Sequence, residues 1–313
     1  MSDANSKNIL TVWVQGIGLL GPGLASWPAA LGVLRGAAPH VSRPTVLPLP
    51  VRLPPAERRR AGAAVKLALA VADEAVAQAQ VDAAALATVF TSSSGEGLNC
   101  HLLCETLATP TPVVSPTRFT NSVHNAASGC WHIAVASQAT STSLCAFDAS
   151  FSAGLIEAAT SVCTRDAPVL LVASDSPYPE PLHATRPLPD HFGLALLLAP
   201  AATEHSLAEL TIRLSLPSTA PGQIDGATVS ICDDASLEAL RCAIPAAAAL
   251  PLLVALACGE APQRVVISGL PTLGLQIDVA PVAAGPWTAS MPALTPATPA
   301  TAPAAPTELS AAP

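Results

Sequence analysis

Short apolar runs recur along this chain with helix-length segments between them, and that alternation restricts it to few architectures. Val169 to Ser174 and Leu194 to Leu198 are almost uninterruptedly apolar, as strands covered on both faces must be. Thr11 to Ile17, Thr88 to Ser92, Ser143 to Phe147 and Glu209 to Leu216 read as further strands, and Arg264 to Ser268 with Gln276 to Val279 as a hairpin. Between them, Ala25 to Arg35, Ala56 to Gln80, the small-residue stretch Asn125 to Ala139, Ser150 to Val162 and Ala246 to Cys258 carry helical patterns. A Pro-rich link from Pro39 to Pro55 joins the first two helices. Strands that alternate with helices predict an α/β fold around a largely buried sheet.

Charge and hydropathy exclude several classes of partner. The net charge is -8 with only 14 Lys and Arg among 313 residues, and the one tight basic cluster is Arg58, Arg59 and Arg60, so no nucleic-acid groove is expected. The mean hydropathy of +0.48 comes largely from alanine. Leu67 to Ala72 and Ala246 to Ala257 are too short to cross a bilayer, so no membrane insertion is expected. Met1 to Asn8 lacks the charged start, apolar stretch and small-residue cleavage site of a signal peptide, which predicts a cytoplasmic protein. The eight cysteines form no CxxC pair and mostly sit in apolar segments, where buried free thiols are expected. Cys100, His101 and Cys104 would seed a metal site, but no second ligand pair stands at usable spacing, so no metal is expected.

Gly16, Gly18 and Gly21 spell a GxGxxG after a strand. A dinucleotide site would place a ribose-binding carboxylate about 20 residues further on. No Asp or Glu occurs between Asp3 and Glu57, so the glycines predict a turn that packs helix closely on strand, with no cofactor. Three longer segments carry a resemblance. V-W-V-Q-G-I-G-L-L-G-P-G at Val12 to Gly23, followed by Trp27 and L-R-G at Leu34 to Gly36, resembles the opening of a β-ketoacyl synthase. S-P-T-R-F-T-N-S-V-H-N-A-A-S-G at Ser115 to Gly129 resembles the synthase-like N-terminal domain of chain-length-factor-type subunits from aryl polyene pathways. F-D-A-S-F-S-A-G-L-I-E-A at Phe147 to Ala158 occupies the strand-to-helix elbow at which active synthases carry a nucleophilic cysteine. With F-G-L-A-L-L-L at Phe192 to Leu198, the likeness spans about residues 10 to 280.

The resemblance implies a thiolase-like (β-ketoacyl synthase-like) layered α/β fold, reduced mainly to its N-terminal half. It also implies decarboxylative condensation of carrier-protein-bound acyl chains, for which a thiolate and two histidines are needed. The departures from the family pattern point away from catalysis. Asp148 aligns with the usual nucleophile, Cys145 falls earlier in the strand and is expected to point into packed layers, and no histidine is followed or preceded by glycine as the family's motifs require. The expectation is a non-catalytic subunit, a chain-length factor, paired with an active ketosynthase and meeting acyl carrier protein only indirectly. Asn121, His124, Asn125, Leu144, Phe147, Asp148 and Phe151 are its candidate interface or tunnel residues. An apolar edge at Ser143 to Phe147, and apolar surface bared by the shortened second half, would hold the partner.

The rival reading is a free-standing hydrolase or NAD(P)-dependent oxidoreductase. Ser150 or Ser152 with His124 and Asp148 would make a hydrolase triad, but the G-x-S-x-G elbow is absent. Asp148 is expected instead to cap the following helix, and His124 with Asn125 to form a buried polar pair that fixes its loop.

The chain divides into an N-terminal extension (1–9), a synthase-like domain (10–283) and an Ala/Pro-rich tail (284–313) that cannot bury enough apolar surface to order itself. Deleting residues 284–313 is expected to leave the melting temperature unchanged in a thermal unfolding scan; a fall of several degrees would show that the tail packs.

Overall fold

The computed structural model describes residues 9–93, 95–215, 223–224, 227–269 and 274–282. The expected tail and most of the N-terminal extension lie outside these residues.

In chain order the elements are β1 (Ile9–Leu20), α1 (Trp27–Leu34), α2 (Pro55–Arg60), α3 (Ala63–Ala79), β2 (Ala87–Thr91), α4 (Gly97–Leu107), α5 (Pro116–Thr120), α6 (Ala126–Val135) and β3 (Ser141–Leu144). There follow α7 (Ser150–Arg165), β4 (Val169–Asp175), α8 (Leu182–Thr185), β5 (Phe192–Ala199), β6 (Ala208–Ser215), β7 (Gln223–Ile224), β8 (Ala227–Thr228), α9 (Ala235–Ala243), α10 (Leu250–Cys258), β9 (Gln263–Ser268) and β10 (Gly274–Pro281). Eight strands form one sheet in the order β3-β2-β4-β5-β1-β6-β10-β9. β2 runs parallel to β3 and β4, and β5 is antiparallel to both β4 and β1. β6, β10 and β9 continue beyond β1 as antiparallel strands, with β9 and β10 forming the expected hairpin near the C-terminus.

The central strands are apolar all along because both faces are covered. Along β4 and β5, Val169, Leu171, Leu194, Leu196 and Leu198 enter a core with α1, α7, α9 and α10. The alternate residues Leu170, Val172, Ala195 and Leu197 enter a second core under α3 and α6, which includes the fully buried Trp131.

The expected strand and glycine turn are a single strand: β1 runs through Gly16 and Gly18 to Leu20. A Cβ at Gly16 or Gly18 would collide with the carbonyl groups of Ala75 or Val71 on α3, so these glycines let the helix backbone lie directly on the strand. β1 pairs with β6 only as far as Val14. Beyond that point the amides of Ile17 and Leu19 donate instead to Gln78 Oε1 (2.6 Å) and Glu74 Oε2 (2.8 Å) of α3, and Glu74 Oε1 accepts from the Trp27 amide (2.8 Å) at the start of α1. A single helix over Ala56 to Gln80 is replaced by α2 and α3, because Ala61 and Gly62 are extended and turn the chain between them.

The Pro-rich link crosses the surface as an extended strap. His40 fastens it to the start of α9 through Asp234 and Ser236, and Thr45 fastens it to Asp190 and His191.

The expected bared apolar surface does not appear on β6, β10 and β9. Their inner residues, such as Ile212, Ile277 and Val265, are buried in the first core, whereas Asp278 on the opposite face pairs with Arg213 and, at 2.6 Å, with Arg264. The two guanidiniums, Arg264 first, hold the Asp278 carboxyl below its ordinary range. Charge on that face makes it compatible with water.

Glu74 is the most consequential half-buried acid. Burial pushes it up to about 7, against the opposing pull of its two amide donors. Its folded pKa lies above the unfolded one, so the stability tied to the protonated form is complete below about pH 4.5 and is lost as pH rises through about 7. The Glu74→Gln variant is expected to lack this slope. Relative to the wild-type chain it should gain about 2–3 kcal/mol in urea unfolding between pH 4.5 and 8; parallel pH profiles for the two proteins would contradict the assignment.

Candidate functional site at the strand-to-helix elbow

The parallel strands β2, β3 and β4 end side by side, and chains of this architecture place their chemistry beyond such carboxyl ends. Three loops meet there. After β2, the Ser93 amide donates to Asp175 Oδ1 at the end of β4 (2.7 Å), and Asp175 Oδ2 accepts from the Ala246 amide in the 3-10 turn that leads into α10 (2.8 Å). Burial pushes the Asp175 carboxyl above its ordinary range. After β3, the thiol of Cys145 donates to the Ser93 carbonyl (3.0 Å), and Thr91 Oγ1 donates to the Ser150 carbonyl (2.8 Å).

The predicted strand Ser143 to Phe147 is β3, Ser141–Leu144, and it stops earlier than expected because the chain turns sharply at Phe147. Phe147 sits at φ 53, in the left-handed region, and starts a 3-10 turn that runs into α7. A non-glycine residue held there stores backbone strain, and strained strand-to-helix turns are what hold a side chain out at the top of a sheet. The displayed residue is therefore Phe147, 59% exposed, and Asp148 follows it. Arg186, just after α8, folds over both: its guanidinium carbon lies 3.6 Å from the Phe147 ring centroid and its Nη2 is 2.6 Å from Asp148 Oδ1. Ser150 Oγ closes the turn, accepting from the Ala146 amide and donating to the Phe147 carbonyl.

Several sequence expectations change here. Asp148 does not cap α7, whose first turn has no side-chain cap; its carboxylate is drawn to Arg186. Cys145 lies outside the strand and is exposed rather than packed, and Cys100, Cys104, Cys163 and Cys242 are exposed too, leaving Cys232 as the buried one. The reason is that these cysteines lie in or near helices on their outward faces, or past the end of a strand, where apolar neighbours in sequence do not imply burial. His124 and Asn125 are exposed rather than a buried pair. His124 lines a cavity of about 30 Å³ with Thr91, Ser92, Gly95, Ser143 and Ser174. That is room for about one water molecule.

The hydrolase triad is not assembled either, since Ser150 is spent on the turn, Ser152 is buried and donates to the Ser268 carbonyl, and Asp148 is held by Arg186. Of the other candidates, Phe151 is fully buried in the core, Leu144 packs partly against it, and Asn121 lines a separate groove of about 170 Å³ with Arg60, Glu96, Leu98, Leu102 and Arg118. Asp175 and Arg186 were not singled out by sequence reasoning. Asp175 carries a faint signal, a carboxylate closing an otherwise apolar strand; Arg186 carries none, because its role depends on a loop folding back over the elbow.

Among the described residues, no helix is long and apolar enough to cross a membrane. The mixed sheet with β5 reversed, wrapped by helices on both faces and opening at a strand-to-helix elbow, defines a thiolase-like α/β protein. The family model for the β-ketoacyl synthase N-terminal domain matches residues 36–231, and the chain belongs to that family. A comparison with curated proteins returned no match.

Among solved structures, a chain in the complex of a ketosynthase with its chain length factor from Xenorhabdus doucetiae is similar over 87% of this chain and 99% of its own, at 24% identity and a TM-score of 0.62. A chain of the ishigamide ketosynthase/chain length factor is similar over 88% and 100%, at 14% identity and 0.65. A β-ketoacyl synthase from Burkholderia phymatum STM815 is similar over 88% and 100%, at 12% identity and 0.61. These likenesses place the fold among ketosynthases.

Strain at the elbow is separable from its side chain. Phe147→Gly and Phe147→Ala both remove the ring, but glycine adopts the left-handed conformation freely. The glycine variant is expected to be about 1 kcal/mol more stable than the alanine variant in urea unfolding; equal stabilities would mean that the elbow is unstrained.

Proposed function

We propose that this chain is a non-catalytic ketosynthase-like subunit, a chain length factor, that pairs with an active ketosynthase and helps to bound the path of a growing carrier-protein-bound acyl chain of the aryl polyene type. The observation that carries the reading is the elbow. Condensation needs a displayed thiolate to accept the acyl group and donors for the thioester oxygen. Here the displayed position holds Phe147, the next holds Asp148, and Arg186 stacks on one and pairs with the other. Cys145 is exposed nearby, but its thiol is engaged by a backbone carbonyl.

Two further features support a partner. β3 is the edge of the sheet, with β2 on one side and no strand on the other among the described residues, a natural place for a second subunit's strand. On the connection between β2 and β3, Leu98, Leu107, Val113, Phe119 and Val123 are largely exposed, Val113 and Phe119 at 83% and 68%. Apolar side chains gathered on one connection fit an interface better than a free surface.

The purified chain is expected to form no carbon–carbon bond from acyl and malonyl carrier protein, and to co-elute with a cognate synthase on size-exclusion chromatography. A charge at the edge, Leu144→Asp, should abolish both co-elution and the synthase's activity. Condensation by the chain alone, lost on Cys145→Ala, would overturn the reading, and so would a stable monomer that no synthase retains.

A further inference from the structure

The eight thiols are not equivalent. Cys145 donates to a carbonyl, Cys163 lies toward the Thr11 carbonyl, Cys242 is drawn to Glu238, and Cys232 is buried. Cys100 and Cys104 stand four residues apart on α4. Residues at this spacing on a helix hold their Cβ atoms about 5–6 Å apart, so two thiols can converge without bending the backbone. Leu103 is the only buried residue of α4, and both cysteines are exposed on the outward side together with Leu107. The neighbouring row holds His101 and Glu105, which pair with each other at 3.2 Å. Among the described residues no group of three or more His, Cys, Asp and Glu side chains is arranged to hold a metal ion.

We propose that Cys100 and Cys104 form an accessible dithiol site for soft, thiophilic trivalent metalloids. Trivalent arsenic takes two thiolate ligands from one molecule in preference to donors of the oxygen or imidazole type. With phenylarsine oxide as the probe, each sulfur forms one As–S bond, the As–O bond breaks, and the two thiol protons leave with that oxygen as water, with no change of oxidation state. Desolvation first, and then the neighbouring Cys104, raise the Cys100 thiol. The site is built on one helix, beside the apolar residues proposed above to meet a partner, and is therefore probed in the chain alone.

The test is titration of the full chain with phenylarsine oxide, followed by intact-protein mass spectrometry and peptide mapping. One equivalent should bind to the peptide containing both residues, resist a monothiol and be released by a dithiol such as 2,3-dimercaptopropanol. Cys100→Ser and Cys104→Ser should each weaken binding by about a hundredfold or more, the advantage of a second tethered donor, while Cys145→Ser and Cys242→Ser leave it unchanged. In a Cys100→Ser chain, Leu107→Cys places a thiol one turn from Cys104 on the same side and should restore the adduct, which guards against a fold-related loss. An unchanged adduct in the Cys100→Ser/Cys104→Ser chain, or failure of the Leu107→Cys rescue in a folded protein, would overturn the proposal.

Discussion

The contact on which the rest of the structure depends is that between β1 and α3. β1 is the one strand shared by both parts of the sheet, pairing with β5 on one edge and β6 on the other. Near Gly16 its register shifts and β6 falls away, so its amides would be left without strand partners. Buried amides without partners are costly. α3 resolves this by lying on the two glycines and presenting Gln78 and Glu74 to the exposed edge of the strand. The same Glu74 carboxylate reaches the start of α1, so one half-buried side chain ties together strand, helix and the following turn. Its cost is a carboxyl held far from its ordinary pKa, which glutamine in that place would avoid.

The far end of the sheet is organised by a different balance. Asp175 is wholly buried and gathers the loop after β2 and the turn before α10, so the elbow rests on a rigid frame. On that frame the chain keeps a strained left-handed residue, although what it displays is aromatic. Arg186 offsets part of the cost by stacking on the ring and pairing with Asp148. Strain of this kind persists where the surroundings over-determine it.

Beyond β1, the antiparallel strands β6, β10 and β9 show how a sheet can be covered on one face only. Its inner residues complete the core that α7, α9 and α10 share, and its outer face carries an Arg–Asp–Arg cluster instead of apolar side chains. The exposed apolar residues lie elsewhere, on the connection through α4 and α5 beside the edge strand β3. Two faces that sequence reasoning treated alike thus differ in what they can meet.

The layered α/β architecture, the strand pattern and the family likeness were legible in the sequence, because near-continuous apolar runs such as Val169 to Ser174 have no other stable use than a doubly covered strand. That no histidine stands next to a glycine was legible too, since adjacency in sequence needs no geometry to be noticed. Burial of individual side chains was not. Cys145, His124 and Asn125 sit among apolar or small neighbours in sequence and are exposed, because a strand end and a turn separate them from the core. The residue displayed at the elbow was read as Asp148 from alignment, whereas the backbone turns at Phe147, one residue earlier, and only the dihedral angle reveals it. Hydrogen bonds join Glu74 to Leu19, Asp175 to Ser93 and Arg186 to Asp148 across 55, 82 and 38 residues of chain. Local pattern can announce that a strand exists, but which buried charge meets which amide is decided only when the layers close.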